Sequence, residues 1–224
     1  MNTSLAIVTA GVVPVGEVMP LLTEHITEEQ ITHISLLGRL TREEALKGYS
    51  AAPGEETVLT LLRDGGLVQL SLNKVELALQ GMIEILDNQD YDVILVLGNG
   101  RYTRLSARNA MLLVPDRLIP PLVASIVEGH QVGILLPTPE LLSFQQKKWR
   151  ELGNSPLYTP AASLSDDRAL VGAGRELVQR GADVLVLDSL GFHQHHRDLL
   201  QRALDVPVLL SHMLLARLAS ELLV

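Results

Sequence analysis

Short apolar runs recur along the chain at Leu5–Thr9, Ile31–Leu37, Leu67–Leu70, Val93–Leu97, Val132–Leu136, Val184–Leu187 and Val206–Leu210. Most are apolar at successive positions, without alternation. A strand with one wet face alternates, whereas one that is apolar on both parities is covered on both faces, as parallel-sheet strands are. Longer segments with helical spacing lie between the runs. The clearest is Asn73–Asp87, with Val75, Leu79, Met82, Ile83 and Leu86 on one face. Ile119–Glu128, Glu140–Leu152, Asp166–Arg180 and His212–Leu223 follow, with Asp166 as an N-cap and Gly181 as a stop. Strand and helix in alternation predict an α/β chain with mainly parallel sheet.

The pattern repeats. Tyr91 to Gly100 lies over Ala182 to Gly191 without a gap, at a constant offset of 91 residues. Each copy is an Asp entering an apolar strand that ends in a glycine-containing turn. Leu5-Ala-Ile-Val-Thr leading into Gly11–Gly16 is matched by Gln131-Val-Gly-Ile-Leu-Leu leading into Pro137-Thr-Pro139. The expectation is two similar α/β halves, residues 1–115 and 116–224, with a ligand cleft between them and the last helix of the first half free to cross over. An insertion near residues 38–66 enlarges the first half, and Tyr49–Gly54 is its most loop-like part.

Composition narrows the function. The chain has 224 residues and no cysteine, so disulfides, Cys-type zinc sites, iron–sulfur clusters and thiol nucleophiles are excluded. A net charge of −8 without a Lys/Arg run, and 3% aromatics, argue against nucleic-acid binding. Leu5–Gly16 lacks a preceding basic residue and reads as a buried strand, not a signal segment. Pro207–Val224 is broken by His212, Arg217 and Glu221, so no membrane span is expected. A cytoplasmic enzyme, small-molecule binder or interaction domain remains. Neither GxGxxG nor GxxxxGK[ST] occurs, and no cofactor is predicted.

Ligands of open α/β sheets collect at the strands' carboxyl ends. Gly98-Asn99-Gly100 follows a strand and is expected to precede a helix starting near Ser106. Its backbone amides, with Asn99 and Thr103, suit a carboxylate or phosphate at a helix N-terminus; ordinary turn chemistry explains the same residues. The densest titratable segment runs from Asp188 through Ser189, His193, His195 and His196 to Asp198. Ser189 with His193 suggests a nucleophile and base, without a GxSxG elbow. His193 and His196 with Asp188 suggest a metal site, although no regularly spaced ligand motif supports one and none is assigned. Thr9 and Ser211 sit after strands as ligand donors or helix caps. His25, His33 and His130 have no constellation around them, and Met19, Met82, Met111 and Met213 read as core filler.

Along nearly its whole length the chain resembles the AroM protein family. The resemblance is carried by Ser4-Leu-Ala-Ile-Val-Thr, Pro20-Leu-Leu-Thr-Glu, Ser35-Leu-Leu-Gly, Leu79-Gln-Gly, Glu84-Ile-Leu-Asp-Asn-Gln, Tyr91-Asp-Val-Ile-Leu, Pro120-Pro-Leu-Val, His130-Gln-Val-Gly, Asp188-Ser-Leu-Gly-Phe-His-Gln-His-His-Arg-Asp-Leu-Leu and Val206-Pro-Val-Leu-Leu-Ser. More distantly, the two-half plan is similar to the aspartate/glutamate/hydantoin racemase superfamily. That likeness implies a ligand carboxylate held between two strand-end cysteines, one in a Cys-Asn-Thr-like turn and one in a Gly-Cys-Thr-like turn. Those turns fall at Gly98-Asn99-Gly100 and Asp188-Ser189-Leu190, so both thiol positions are changed, to Gly98 and Ser189. A serine hydroxyl cannot take the part of a thiolate base without another base to activate it, and Gly98 has nothing to titrate. Two-thiol racemisation is therefore excluded.

The resulting expectation is a protein that binds a small carboxylate-containing metabolite, by isomerase- or lyase-type chemistry without thiols if it acts on it. The alternatives are a non-catalytic ligand-binding or regulatory module and a metal-assisted hydrolase using the His193 cluster. Leu-rich helices are compatible with a homo-oligomer.

Overall fold

The computed structural model describes residues 3–188 and 191–223. Contacts divide the chain into two compact units, residues 1–117 with 215–224, and residues 118–214. In chain order the first contains β1 (Leu5–Thr9), α1 (Val15–Leu22), β2 (Ile31–Ser35), α2 (Arg42–Tyr49), β3 (Thr57–Leu61), β4 (Leu67–Ser71), α3 (Leu72–Asp87), β5 (Val93–Leu97) and β6 (Met111–Leu113). After α4 (Pro115–Ile126) the second contains β7 (Val132–Leu136), α5 (Leu142–Lys148), β8 (Leu157–Pro160), α6 (Asp167–Gln179), β9 (Val184–Leu187), α7 (Gln194–Leu204), β10 (Val208–Leu210) and the start of α8 (Ser211–Ser220). Among the described residues no helix is long and apolar enough to cross a membrane.

The two units repeat one winding. The first holds a four-stranded parallel sheet in the order β2-β1-β5-β6, and the second holds one in the order β8-β7-β9-β10. The central strands β1, β5, β7 and β9 are buried at every position, as their unbroken apolar runs predict. In each sheet the winding reverses between the first and third of its four strands, β1/β5 and β7/β9. That reversal opens a crevice outside the strands' carboxyl ends.

The repeated Asp has a definite task. Asp92 Oδ2 accepts the Ser4 N–H at 2.8 Å, and the Asp92 and Val93 N–H groups donate to the Ser4 carbonyl. Asp183 Oδ1 accepts the Gln131 N–H at 2.9 Å, and its own N–H donates to the Gln131 carbonyl. Each carboxylate thus satisfies the amide just ahead of the neighbouring strand and pins the register at its start. His130 lies 2.9 Å from Asp183, so this imidazole has a partner that the sequence did not reveal.

Several elements differ from the sequence reading. The run at Leu67–Leu70 is a strand, but it pairs antiparallel with β3 in a separate hairpin, with no place in the parallel sheet. No helix starts near Ser106. That stretch is irregular because α3 holds it: Glu76 accepts the Arg104 N–H, Gln80 the Ser106 N–H, and Asp87 those of Arg108, Asn109 and Ala110. The amides of Ala110 and Arg108 hold the Asp87 carboxyl below the ordinary carboxylate range. Met111 is 54% exposed on the edge strand β6 and is not core filler. The helix expected over Glu140–Leu152 shortens to α5, preceded by a 3₁₀ turn at Pro139–Leu141.

The insertion comprises α2 and the β3–β4 hairpin, which reaches Ser71. Its apolar face, with Val58, Val68 and Leu70, joins the core formed by Ala6, Val8, Ile94 and Val96 with Val75, Leu79, Ile83 and Leu86 of α3. The hairpin also closes over the end of β1, where the Val12 N–H donates to the Leu61 carbonyl at 2.9 Å. Gly11 makes this approach possible: a Cβ there would lie 2.3 Å from Thr60 Cγ2 and 2.4 Å from the Leu61 carbonyl oxygen. Gly11→Ala should therefore destabilise the protein by about 1–3 kcal/mol, the range for overpacking a close contact, read as a lower urea midpoint.

Candidate functional site

In the second unit β9 ends at Leu187 and delivers Asp188 into the strand-end crevice with only 5% of its surface exposed. A carboxylate so far out of water needs compensation. Lys148 Nζ lies 2.9 Å from Oδ1 and 2.7 Å from Oδ2, and its side chain is 6% exposed. Ser211, the first residue of α8, donates its hydroxyl to Oδ1. Three elements thus converge: the end of α5, the end of β9 and the turn from β10 into α8.

Local sequence explains how Lys148 gets there. Leu141, Gln145 and Trp149, four residues apart, are all buried and fix α5 against the unit. The indole N–H of Trp149 donates to Gln145 Oε1 at 2.6 Å. Lys148 follows Gln145 by three positions, so it shares the buried side, and its ammonium sits 5.6 Å from the centre of the Trp149 ring. Lys148 was not anticipated from sequence; the signal was a lysine placed by helical spacing beside the chain's single tryptophan.

The histidine segment is organised by α7. His193 is its N-cap and donates its backbone N–H to His196 Nδ1 at 2.9 Å, while His196 Nε2 lies 3.1 Å from the Leu164 carbonyl oxygen. These two contacts assign His196 the neutral Nε2–H tautomer and leave neither ring nitrogen for a metal. Burial lowers its pKa, with the neighbouring His193 adding to the effect. His195 Nε2 points instead to Asp167 Oδ1 at 3.3 Å. Among the described residues no group of His, Asp and Glu has metal-holding geometry. Ser189, the other half of the expected nucleophile–base pair, lies outside the described residues.

At the strand ends of the first unit, Gly98 has φ +142°, a conformation that L side chains rarely adopt. Asn99 turns its amide to the hairpin, donating to the Leu59 carbonyl at 3.1 Å. Gly100 packs under the ring of Tyr102, which is buried and whose phenol pKa burial pushes well up. Thr103 is exposed, and its carbonyl accepts from Arg117. The turn leads into irregular chain, so no helix N-terminus stands behind it. Thr9 is fully buried, with its hydroxyl 3.1 Å from His33 Nε2. His33 therefore has a partner after all.

Among the described residues, the buried side-chain polar atoms without a hydrogen-bond partner are Thr60 Oγ1, Arg101 Nε and Asp188 Oδ2. Thr60 lies against Gly11 after β1, Arg101 follows the turn after β5, and Asp188 follows β9. Arg101 has only a 3.5 Å contact with Asp116, and the ammonium near Asp188 Oδ2 is off its hydrogen-bond line. Buried polar atoms without a partner are rare in native proteins. Arg101 and Asp188 follow the ends of parallel strands, whereas Thr60 lies within β3 and packs against the segment after β1.

The AroM protein family model matches residues 5–223. The chain belongs to the AroM family. No curated protein sequence matches it significantly. The fold is similar to that of unliganded arylmalonate decarboxylase, with a TM-score of 0.58, 14% identity and coverage of 99% of this chain and 92% of that one. It is also similar to a glutamate racemase from Bacillus anthracis, with a TM-score of 0.57, 15% identity and coverage of 98% and 80%. A glutamate racemase from Francisella tularensis in complex with D-glutamate gives a TM-score of 0.55, 12% identity and coverage of 99% and 81%. The AroM chain therefore has an Asp/Glu racemase-like fold.

Lys148→Met leaves Asp188 buried and unpaired and should destabilise by about 3–5 kcal/mol, whereas the double variant Lys148→Met/Asp188→Met should recover most of that loss in chemical denaturation. For His196, the folded pKa lies below the unfolded one, so the unfolded state takes up the proton first as pH falls. Stability is thus fully present above the ordinary imidazole value of about 6.5 and declines below it, and His196→Gln should flatten this slope of denaturation midpoint against pH.

Proposed function

We propose that this AroM protein binds a small carboxylate-containing metabolite at the carboxyl ends of its parallel strands and handles it without thiol chemistry. The observation that carries this reading is the buried Lys148–Asp188 pair at the end of β9, joined by the Ser211 hydroxyl. Its ammonium is a cation able to face an anionic group. The similarity to a racemase solved with D-glutamate supports the ligand class by analogy of fold. The reactions open to such a site are of isomerase or lyase type. Zero cysteines removes the paired-thiol route and fits a reducing, cytoplasmic compartment.

The test is thermal unfolding with dicarboxylates, amino acids and shikimate-pathway acids. A ligand at about 100 times its Kd adds about 2.7 kcal/mol, which raises Tm by roughly 5–10 °C for a chain of this size. The parent protein should respond to at least one acid, and Lys148→Met/Asp188→Met should weaken that response at least tenfold in apparent affinity. No response to any acid, or an equal response in the variant, overturns the proposal.

A further inference from the structure

On the second unit, α6 places Arg168, Val171, Gly172 and Arg175 at i, i+3, i+4 and i+7, which is one helix face. Leu199 of α7 joins them, and together they line an open groove of about 340 Å³, the size of a small-molecule site. Val171 and Leu199 are half-buried and give it an apolar wall, while Arg168, Gly172 and Arg175 are exposed. A Cβ built at Gly172 meets no atom within 4 Å, so the floor between the two arginines is open.

Neither Arg168 nor Arg175 forms an ion pair or a side-chain hydrogen bond among the described residues. Arg180 on the same helix is tied to Glu176, Thr159 and the Tyr158 carbonyl. The lining carboxylate, Asp167, lies 3.3 Å from His195 Nε2. With two guanidinium groups against the one Asp167 carboxylate, the groove carries a local excess of positive charge on a chain of net charge −8. They stand two helical turns apart, roughly 10 Å along the axis, flanking the open floor. Their planar forks match the oxygens of a carboxylate or phosphate.

We propose that this groove is a second ligand site that takes a small organic anion, its acidic group gripped by Arg168 and Arg175 and its apolar body lying over Gly172 against Val171 and Leu199. The proposal is independent of the strand-end reading. Titration calorimetry of the full chain with 1-naphthyl phosphate tests it, with inorganic phosphate as the charge-only probe and 1-naphthol as the apolar-only probe. One saturable site is expected for 1-naphthyl phosphate, at least tenfold tighter than for either partial probe. Arg168→Gln/Arg175→Gln should weaken it at least tenfold, and Gly172→Leu, which fills the floor while keeping both charges and a helix-forming residue, should do the same. Absence of saturable binding, equal binding of inorganic phosphate, or unchanged affinity in either variant overturns it.

Discussion

Because β1, β5, β7 and β9 are buried along their whole length, the polar groups that these central strands can offer a ligand must come from the segments at their ends. Strand interiors are closed on both faces by helices, and backbone groups there are consumed by the parallel ladders. The doubled winding then sets where those segments collect, since each sheet reverses direction between its first and third strands. Asp92 and Asp183 support this arrangement from the opposite ends of the strands. By capping the amides of Ser4 and Gln131, they fix the register that determines which residues emerge at the carboxyl ends.

The two copies use these ends differently. At the repeat offset, Leu97 of the first unit corresponds to Asp188 of the second, and Gly98 corresponds to Ser189. Leu97 is 2% exposed and an ordinary core residue. Replacing its counterpart by a carboxylate at the same depth required both Lys148 and Ser211 as compensation. In the first unit the insertion takes up the strand ends instead: Asn99 is held by Leu59, Val12 by Leu61, and Gly11 is pressed against Thr60. One scaffold has thus been specialised in its second copy by a buried ion pair and in its first by a covering hairpin.

How much could be read from sequence follows from the range of each interaction. The central strands and α3 were legible because burial on both faces and helical amphipathicity are written in consecutive residues. Of the hairpin, β4 was read as a strand, but β3 was not, nor were β6 and β8, since Thr57–Leu61 and Leu157–Pro160 mix polar and apolar residues and Met111–Leu113 has only three positions. The irregular path through residues 98–110 depends on carboxylates and an amide of α3 some 20–30 residues earlier in sequence. Asp188 and Ser211 were picked out by their place after strands. Lys148 was missed because its partner is 40 residues away and only the folded α5 brings it to that strand end.

The buried pair is also informative because stability alone does not explain it. Taking an ammonium and a carboxylate out of water is expensive, and an apolar pair of similar volume at such a position is often equally or more stable. Leu97, in the corresponding slot of the first unit, is an apolar solution of that kind within this same chain. The second unit instead retains a lysine and an aspartate whose side chains are 6% and 2% exposed, and leaves one carboxylate oxygen without an aligned donor. A costly pair placed where parallel sheets hold their ligands is what the proposed strand-end site would require. With no cysteine in the sequence, the proposed strand-end site would rely in this unit on Lys148, Asp188 and Ser211.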